Sequence, residues 1–264
     1  MHYDWVSFTT DYGTSDGFVA ACKGVIAGIA PKVRVLDVTH HIDPQDVRRG
    51  ATVLAHTVGY LPPAVHLGVV DPGVGTARRG IVLVAGDSLL VGPDNGLLLP
   101  AADALGGVLA AYELRETRFR LPEVSMTFHG RDVFAPATAH LATGVPAAEF
   151  GPAITDPVRL PEPRTVVTAR RLTSEIIGVD RFGNLQLAAG GDDLATFGGQ
   201  QGDRIRVRHY RSTVDGRIGG TFGDVPMGTL VVYVDSAGQV ALGVNGGSAA
   251  EALSGRVGDV TISR

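Results

Sequence analysis

Val6-Ser-Phe-Thr-Thr10-Asp11-Tyr-Gly-Thr-Ser-Asp16-Gly17-Phe-Val-Ala-Ala-Cys22-Lys-Gly-Val-Ile-Ala-Gly-Ile29 is the stretch on which the fold turns. Its first five residues have strand composition, and a polar loop follows. From Gly17 to Ile29 the apolar residues Phe18, Val19, Cys22, Val25, Ile26 and Ile29 recur at the spacing of one helical face. Working outward, Val33 to Thr39 reads as the next strand, Asp46 to Val58 as a helix and Val65 to Val70 as a third strand. Repeated strand–helix alternation predicts a mainly parallel sheet covered by helices. Gly80 to Ala85 and Ser88 to Val91 are joined by Gly86-Asp87, a hairpin signal that makes the sheet mixed. Helical spacing returns from Arg131 to Leu141 through Val133, Phe134, Ala137 and Leu141, and the Pro-rich run Pro157 to Pro163 ends the pattern.

Beyond that run the texture changes to short β-type segments separated by Gly and Asp: Ser174 to Val179, Asn184 to Leu187, Arg204 to Tyr210, Thr229 to Val234, Gln239 to Val244 and Asp259 to Ser263. A compact β-barrel or sandwich accounts for them. Gly190 to Gly202 reads as a Gly-rich connecting loop. The expectation is therefore an α/β domain over residues 1–160 and a carboxy-terminal β-barrel domain over 161–264, a division that suits a chain of 264 residues.

Composition narrows the function. Hydrophobic residues at 44% with charged residues at 19% give a chain that buries a core. A formal charge of −4 leaves no single-sign field for a nucleic-acid backbone, so no nucleic acid is expected as partner. Cys22 is the only cysteine, which rules out an internal disulfide, a CxxC pair or a thiolate zinc site; its place in a packing stripe makes it an inert core thiol. Met1-His-Tyr-Asp-Trp-Val lacks the features of a signal peptide, and no apolar run approaches the roughly 18 residues of a membrane span. A cytoplasmic protein away from membranes is expected.

In open parallel sheets, ligands gather beyond the carboxyl ends of the strands. Three polar segments belong there: Asp11 to Asp16 after the first strand, Asp71-Pro-Gly-Val-Gly-Thr-Ala-Arg78-Arg79 after the third, and Thr127-Phe128-His129-Gly-Arg-Asp132 at a helix start. Each admits a plainer reading. Asp16 suits a helix N-cap as well as a ligand contact, Asp11 an Asx turn as well as a grip on a diol or ammonium, and Asp71 a simple Pro-Gly turn. His129 alone is as ordinary as His40 and His41. Together, however, Asp, Arg and His from two loops at one edge form a set able to hold a water, Arg favouring hydroxide, Asp taking a proton and His fixing orientation. Spacing leaves open whether Arg78 or Arg79 serves. Asp180, Phe182, Asn184, Phe222, Ser236 and Asn245 each read as turn residues in isolation.

Taken in order, Thr9-Thr-Asp-Tyr-Gly-Thr-Ser-Asp16, Asp37-Val-Thr-His, Val70-Asp-Pro-Gly-Val-Gly-Thr-Ala-Arg78, Gly92-Pro-Asp-Asn-Gly-Leu97, Thr127-Phe-His-Gly-Arg-Asp132, Val179-Asp-Arg-Phe-Gly-Asn184 and Asn245-Gly resemble the S-adenosylmethionine (SAM) hydroxide adenosyltransferases. These are adenosine-forming SAM hydrolases related to the fluorinase and chlorinase. The resemblance covers nearly the whole chain and implies hydrolysis of SAM to adenosine and L-methionine with no metal and no added cofactor. It also implies a homotrimer with sites between subunits. It implies Asp71, Arg78 and His129 as the water-holding set, selecting the first Arg of the pair. By the same resemblance Asp11 binds the ribose hydroxyls, Asp16 and Asp180 the methionine ammonium, and Ser236 the carboxylate. Phe182, Asn184, Phe222 and Asn245 line the adenine end, and Phe128 also contacts substrate. The fluorinase carries tyrosine at the positions of Asp71 and His129, serine at that of Gly130 and threonine at that of Val74. Two arginines of the fluorinase are Ala237 and Val244 here, which leaves tail and base recognition less defined than the triad. Three readings compete: a SAM-dependent halide adenosyltransferase of the same superfamily, against which Asp71 argues because a carboxylate repels a bound anion; a metal-dependent phosphohydrolase using Asp11, Asp16, Asp71 and His129 as ligands; and a non-catalytic SAM-binding module.

Overall fold

Strand β1 (Trp5–Thr10) is buried along all but its first residue, as a strand with helices over both faces must be. After it come α1 (Phe18–Ile29), β2 (Arg34–Thr39), α2 (Val47–Val58), β3 (Val65–Val69), β4 (Gly80–Ala85), β5 (Ser88–Pro93), α3 (Leu99–Ala104), β6 (Val108–Glu113) and α4 (Ala135–Ala142). These elements belong to the first of two compact units, which ends at Leu160; the second runs from Pro161 to Arg264. The computed structural model describes residues 2–264.

The first unit holds a six-stranded sheet of order β2-β1-β3-β5-β4-β6. β2, β1, β3 and β5 run parallel, while β4 pairs antiparallel with both β5 and β6. The mixed α/β sheet expected from the strand–helix alternation is thus present. Alternate residues feed two cores. Val6, Phe8, Val65, Leu67, Val69, Val82 and Val91 pack with Val19, Cys22 and Ile26 of α1 and with α4. Ile81, Leu83, Ala85 and Leu90 pack on the other face with Ala51, Leu54 and Val58 of α2 and with α3. Cys22 is fully buried, and burial pushes its thiol up to about 12, which suits an inert core residue.

The chain leaves β1 toward β2 on one side and returns to β3 on the other, so the carboxyl ends of β1 and β3 flank a switch in strand order. Thr10 and Val69 are register partners there, which brings the segments beginning at Asp11 and Val70 out at the same edge.

The second unit contains β7 (Thr165–Thr168), β8 (Arg171–Val179), β9 (Leu185–Gly190), α5 (Gly191–Phe197), β10 (Arg204–His209), β11 (Ser212–Ile218), β12 (Leu230–Val234), β13 (Gln239–Val244), α6 (Ala249–Ala252) and β14 (Asp259–Ser263). Strands β14-β10-β11-β12-β13-β9-β8 follow one another, and the pairing of β14 with β8 closes them into a seven-strand barrel with β7 added at β8. Strict alternation points Ile205 and Val207 of β10, Leu172 and Ile176 of β8, and Leu185 and Leu187 of β9 into its core.

Two expectations change. Gly190 to Gly202 is not a plain connector, because α5 occupies Gly191–Phe197 and packs Leu194 and Phe197 into the barrel core. The flanking glycines mask a one-turn apolar pair at i, i+3 spacing, stopped where Gly198 takes a left-handed conformation at φ 71°. The helix expected from Arg131 begins one residue earlier as a π turn, Gly130–Phe134, before α4. Strands β7 and β11 carry too few apolar residues to stand out in sequence, and β6, Val-Leu-Ala-Ala-Tyr-Glu, is not among the expected strands although most of it is apolar.

Candidate active site

The loop after β3 is shaped by its own backbone. Val74 N–H donates to the Asp71 carbonyl at 3.2 Å, Thr76 N–H to the Gly73 carbonyl at 3.1 Å, and Arg78 N–H to Thr76 Oγ1 at 3.3 Å. Gly75 has φ +76°, and a Cβ there would collide with the Met126 carbonyl oxygen. Glycine therefore serves twice at this position, allowing the turn and letting the loop close onto the segment that leads to His129.

That closure brings Asp71, Arg78 and His129 together. Arg78 Nε donates to Asp71 Oδ1 and Oδ2 at 2.9 and 3.0 Å, and Nη2 donates to Oδ2 at 2.5 Å. The two side chains are 12% and 6% exposed, so the pair is shielded from water on most sides. The same Nη2 lies 2.8 Å from His129 Nδ1. A guanidinium only donates, so Nδ1 must accept, and His129 is the neutral tautomer with its proton on Nε2. Burial first, and the adjacent Arg78 charge next, hold the His129 imidazole below its usual range. His129 sits at the N-terminal end of the π turn, a break in regular helix that is frequent at functional sites. Asp132 ties the preceding loop down: fully buried, it accepts from Ser125 N–H at 2.8 Å and from Arg131 Nε at 2.6 Å.

Arg79, the alternative left open by spacing, is engaged elsewhere. Its Nε donates to Asp94 Oδ2 at 2.7 Å, and Nη1 donates to Asp156 Oδ1 at 2.9 Å. Asp11 Oδ2 accepts from Gln45 N–H at 2.9 Å. The Asp11 loop hangs from His40, whose Nδ1 lies 2.8 Å from Thr10 Oγ1 and whose carbonyl accepts from Gly13 N–H at 2.7 Å. His40 is thus a buried structural residue, while His41 is exposed. Asp16 is exposed and caps nothing, since Gly17 takes the N-cap position of α1 with no side-chain bond. Phe128 stands edge-on to Tyr12 and Phe18, with ring centroids 5.7 and 5.2 Å apart. Asp11, Asp16, Asp71 and His129 do not form a ligand cage: among the described residues no three His, Cys, Asp or Glu side chains converge as metal donors.

In the barrel unit, Asp180 organises the β8–β9 corner, its Oδ1 accepting from the N–H groups of Phe182 and Asn184 at 2.8 and 2.9 Å and its Oδ2 from Asn184 Nδ2 at 2.6 Å. Phe222 stands edge-on to Tyr233 at 5.1 Å, and a Cβ on Gly243 would strike both Phe222 and Asn184. Asn184, Phe222 and Gly243 therefore share one end of the barrel. Tyr233 joins them, its hydroxyl pushed up to about 12 by burial and then by Asp180 and Asp235. Alternation within Leu-Val-Val-Tyr-Val made it look like one more strand residue, so sequence reading missed it. Phe182 is 76% exposed, Ser236 is exposed in the turn after β12, and Asn245 Nδ2 donates to the Val225 carbonyl at 2.7 Å.

An α/β sheet with polar loops at its switch point, a shielded carboxylate–guanidinium–imidazole set between two of those loops, and an accompanying closed barrel define an enzyme acting on a small molecule. The chain belongs to the SAM hydroxide adenosyltransferase family, matching the model of its N-terminal domain over residues 6–151 and that of its C-terminal domain over residues 174–262. It is 57% identical to an (R)-S-adenosyl-L-methionine hydrolase from Salinispora tropica, over 97% of this chain and 95% of that one. Identity falls to 31% with a fluorinase from Actinoplanes sp., over 91% and 90% of the two chains. A crystal structure of an uncharacterised conserved protein from Thermotoga maritima superposes with a TM-score of 0.92 at 35% identity, over 98% of this chain and all of the other.

Proposed function

We infer that this chain hydrolyses S-adenosyl-L-methionine to adenosine and L-methionine. The reading is supported by family membership and by identity to an (R)-S-adenosyl-L-methionine hydrolase over nearly the full length of both chains. The single observation in the fold that carries it is the Asp71–Arg78–His129 set at the sheet's switch point.

The reaction places its demands on the nucleophile. Methionine leaves the sulfonium as a neutral thioether and needs no acid, so one water must attack C5′ in line and shed one proton. We assign that proton to Asp71, whose two oxygens offer about four acceptor positions, of which Arg78 takes only part. His129, neutral and protonated at Nε2, is a donor that orients the water rather than a second base. Arg78 fixes both partners and stabilises developing hydroxide character. Recognition of SAM falls to Asp11, Asp16 and Phe128 in the first unit and to Asp180, Phe182, Asn184, Phe222, Ser236 and Asn245 in the barrel. The chemistry calls on no metal or added cofactor.

Because L already fixes the amino-acid carbon, the (R) in the relative's name describes the sulfonium centre, and we assign the same epimer as preferred substrate here. A homotrimer whose neighbouring barrels complete each site follows from the resemblance, and a cytoplasmic location agrees with a chain whose single cysteine is buried. Among the described residues no helix is long and apolar enough to cross a membrane. The test is incubation with each sulfonium epimer in heavy-oxygen water, with products read by chromatography and mass spectrometry. Label in the 5′-hydroxyl of adenosine, formed faster from the (R) epimer, is expected; unlabelled adenosine or none at all contradicts the reading.

A further inference from the structure

Tyr12 lies beside this set and no role has been given to it. It is the residue after Asp11, and its backbone is fixed by the bond from its N–H to Thr10 Oγ1 at 3.2 Å. Its ring packs edge-on against Phe18 and Phe128, with centroids 6.0 and 5.7 Å apart, so the side chain has little freedom to swing. The hydroxyl ends directly over Gly130, the neighbour of His129: a Cβ built on Gly130 would overlap Tyr12 Oη and press on its Cζ at 3.1 Å. Gly130 does not need to be glycine for its backbone, since its φ lies outside the left-handed region. What its missing side chain provides is room for the phenol.

The hydroxyl itself is unspent. Among the described residues it makes no hydrogen bond, and it is absent from the polar atoms sealed away from solvent. The ring is packed while the hydroxyl stays open to solvent beside the reactive set, where a water can bond to it. Burial first, then Cys22, Asp11 and Asp71, push its ionisation upward against the opposing charge of Arg78. The group is therefore a neutral phenol at any pH at which the protein works, able both to donate and to accept.

We propose that Tyr12 Oη is a further group holding the attacking water, and that residue 130 is glycine so that this hydroxyl can reach the space in front of His129. This rests on the hydrolase reading above. The phenol exchanges no proton in the net reaction: Asp71 takes the proton from water, while Tyr12 and the Nε2–H of His129 set the water's direction. Two fixed partners define a line of approach where one leaves a cone.

The test is Tyr12→Phe, which keeps the ring and removes only the oxygen. Loss of one neutral hydrogen bond to the nucleophile should lower kcat roughly tenfold, with KM changed less than about twofold and Tm unchanged. Gly130→Ala should lower kcat as well, by displacing the hydroxyl, and the double variant Tyr12→Phe/Gly130→Ala should lose no more than the larger single effect. Wild-type kcat in Tyr12→Phe overturns the proposal, as does a loss confined to KM or accompanied by a matching fall in Tm, which marks a packing role. Failure of the hydrolase reading is distinguishable, because the wild-type protein would then form no adenosine from SAM before any variant is compared.

Discussion

Arg78 shows how much one side chain can set. Its guanidinium holds the Asp71 carboxylate through three short contacts and, through the shared Nη2, decides the tautomer of His129. A lysine there would supply charge without the fork, and neither partner would be oriented. The division of labour that follows is measurable. Asp71→Ala and His129→Ala should lower kcat by 10²-fold or more, in the range usual for loss of a positioned acid–base group, while SAM affinity changes little. Asp11→Ala, which removes a group assigned to the ribose, should weaken SAM binding while the rate at saturation falls less. Calorimetry beside steady-state kinetics separates the two; an equal loss of affinity in all three variants contradicts the roles. At this scale the sequence was legible in residue type but not in choice. Arg78 and Arg79 are indistinguishable by spacing, and only the contacts of Arg79 with Asp94 and Asp156 show that it straps the end of the first unit instead.

At the scale of elements, the parallel pair β1–β3 places Ser7 opposite His66 as register partners. Ser7 Oγ and His66 Nδ1 lie 2.7 Å apart, and His66 Nε2 is buried without a partner. Burial in this layer pulls the His66 imidazole down to about 4 from 6.5. The folded state thus resists a proton that the unfolded chain accepts, so stability is intact above 6.5 and falls as the pH drops toward 4. The whole shift corresponds to about 3 kcal/mol. Urea unfolding across this interval should show a steeper loss in wild type than in His66→Gln, and identical pH profiles would exclude His66 as the source. The elements themselves were readable where periodicity was strong, as in α1, α2 and β3. They were not readable in β11, where Ser212-Thr-Val-Asp-Gly-Arg-Ile218 hides its inward residues among polar neighbours, nor in α5, where glycines flank a helix whose only signal is Leu194 with Phe197.

For the whole molecule, the groups proposed to activate water belong to the first unit, and most of those proposed to recognise substrate belong to the barrel. If barrels of neighbouring subunits complete the sites, activity must depend on assembly. Light scattering should report a trimer, and specific activity should fall on dilution as the trimer dissociates. A monomer that is fully active at every dilution contradicts the shared site.

The sequence by itself determined the two textures of the chain, because hydrophobic periodicity is a local property: a period near 3.6 between strands gives a covered sheet, and a period of 2 between Gly-rich turns gives a barrel. It also supplied the motifs that mark the family, since those residues are written in order. Tertiary structure decided the rest. The closure of the barrel through β14 and β8, the meeting of Asp71 and Arg78 with His129, which lies 51 residues beyond Arg78, and the room that Gly130 leaves for Tyr12 all join distant positions. Which atoms meet there depends on packing in three dimensions, and no local pattern of residue types encodes it.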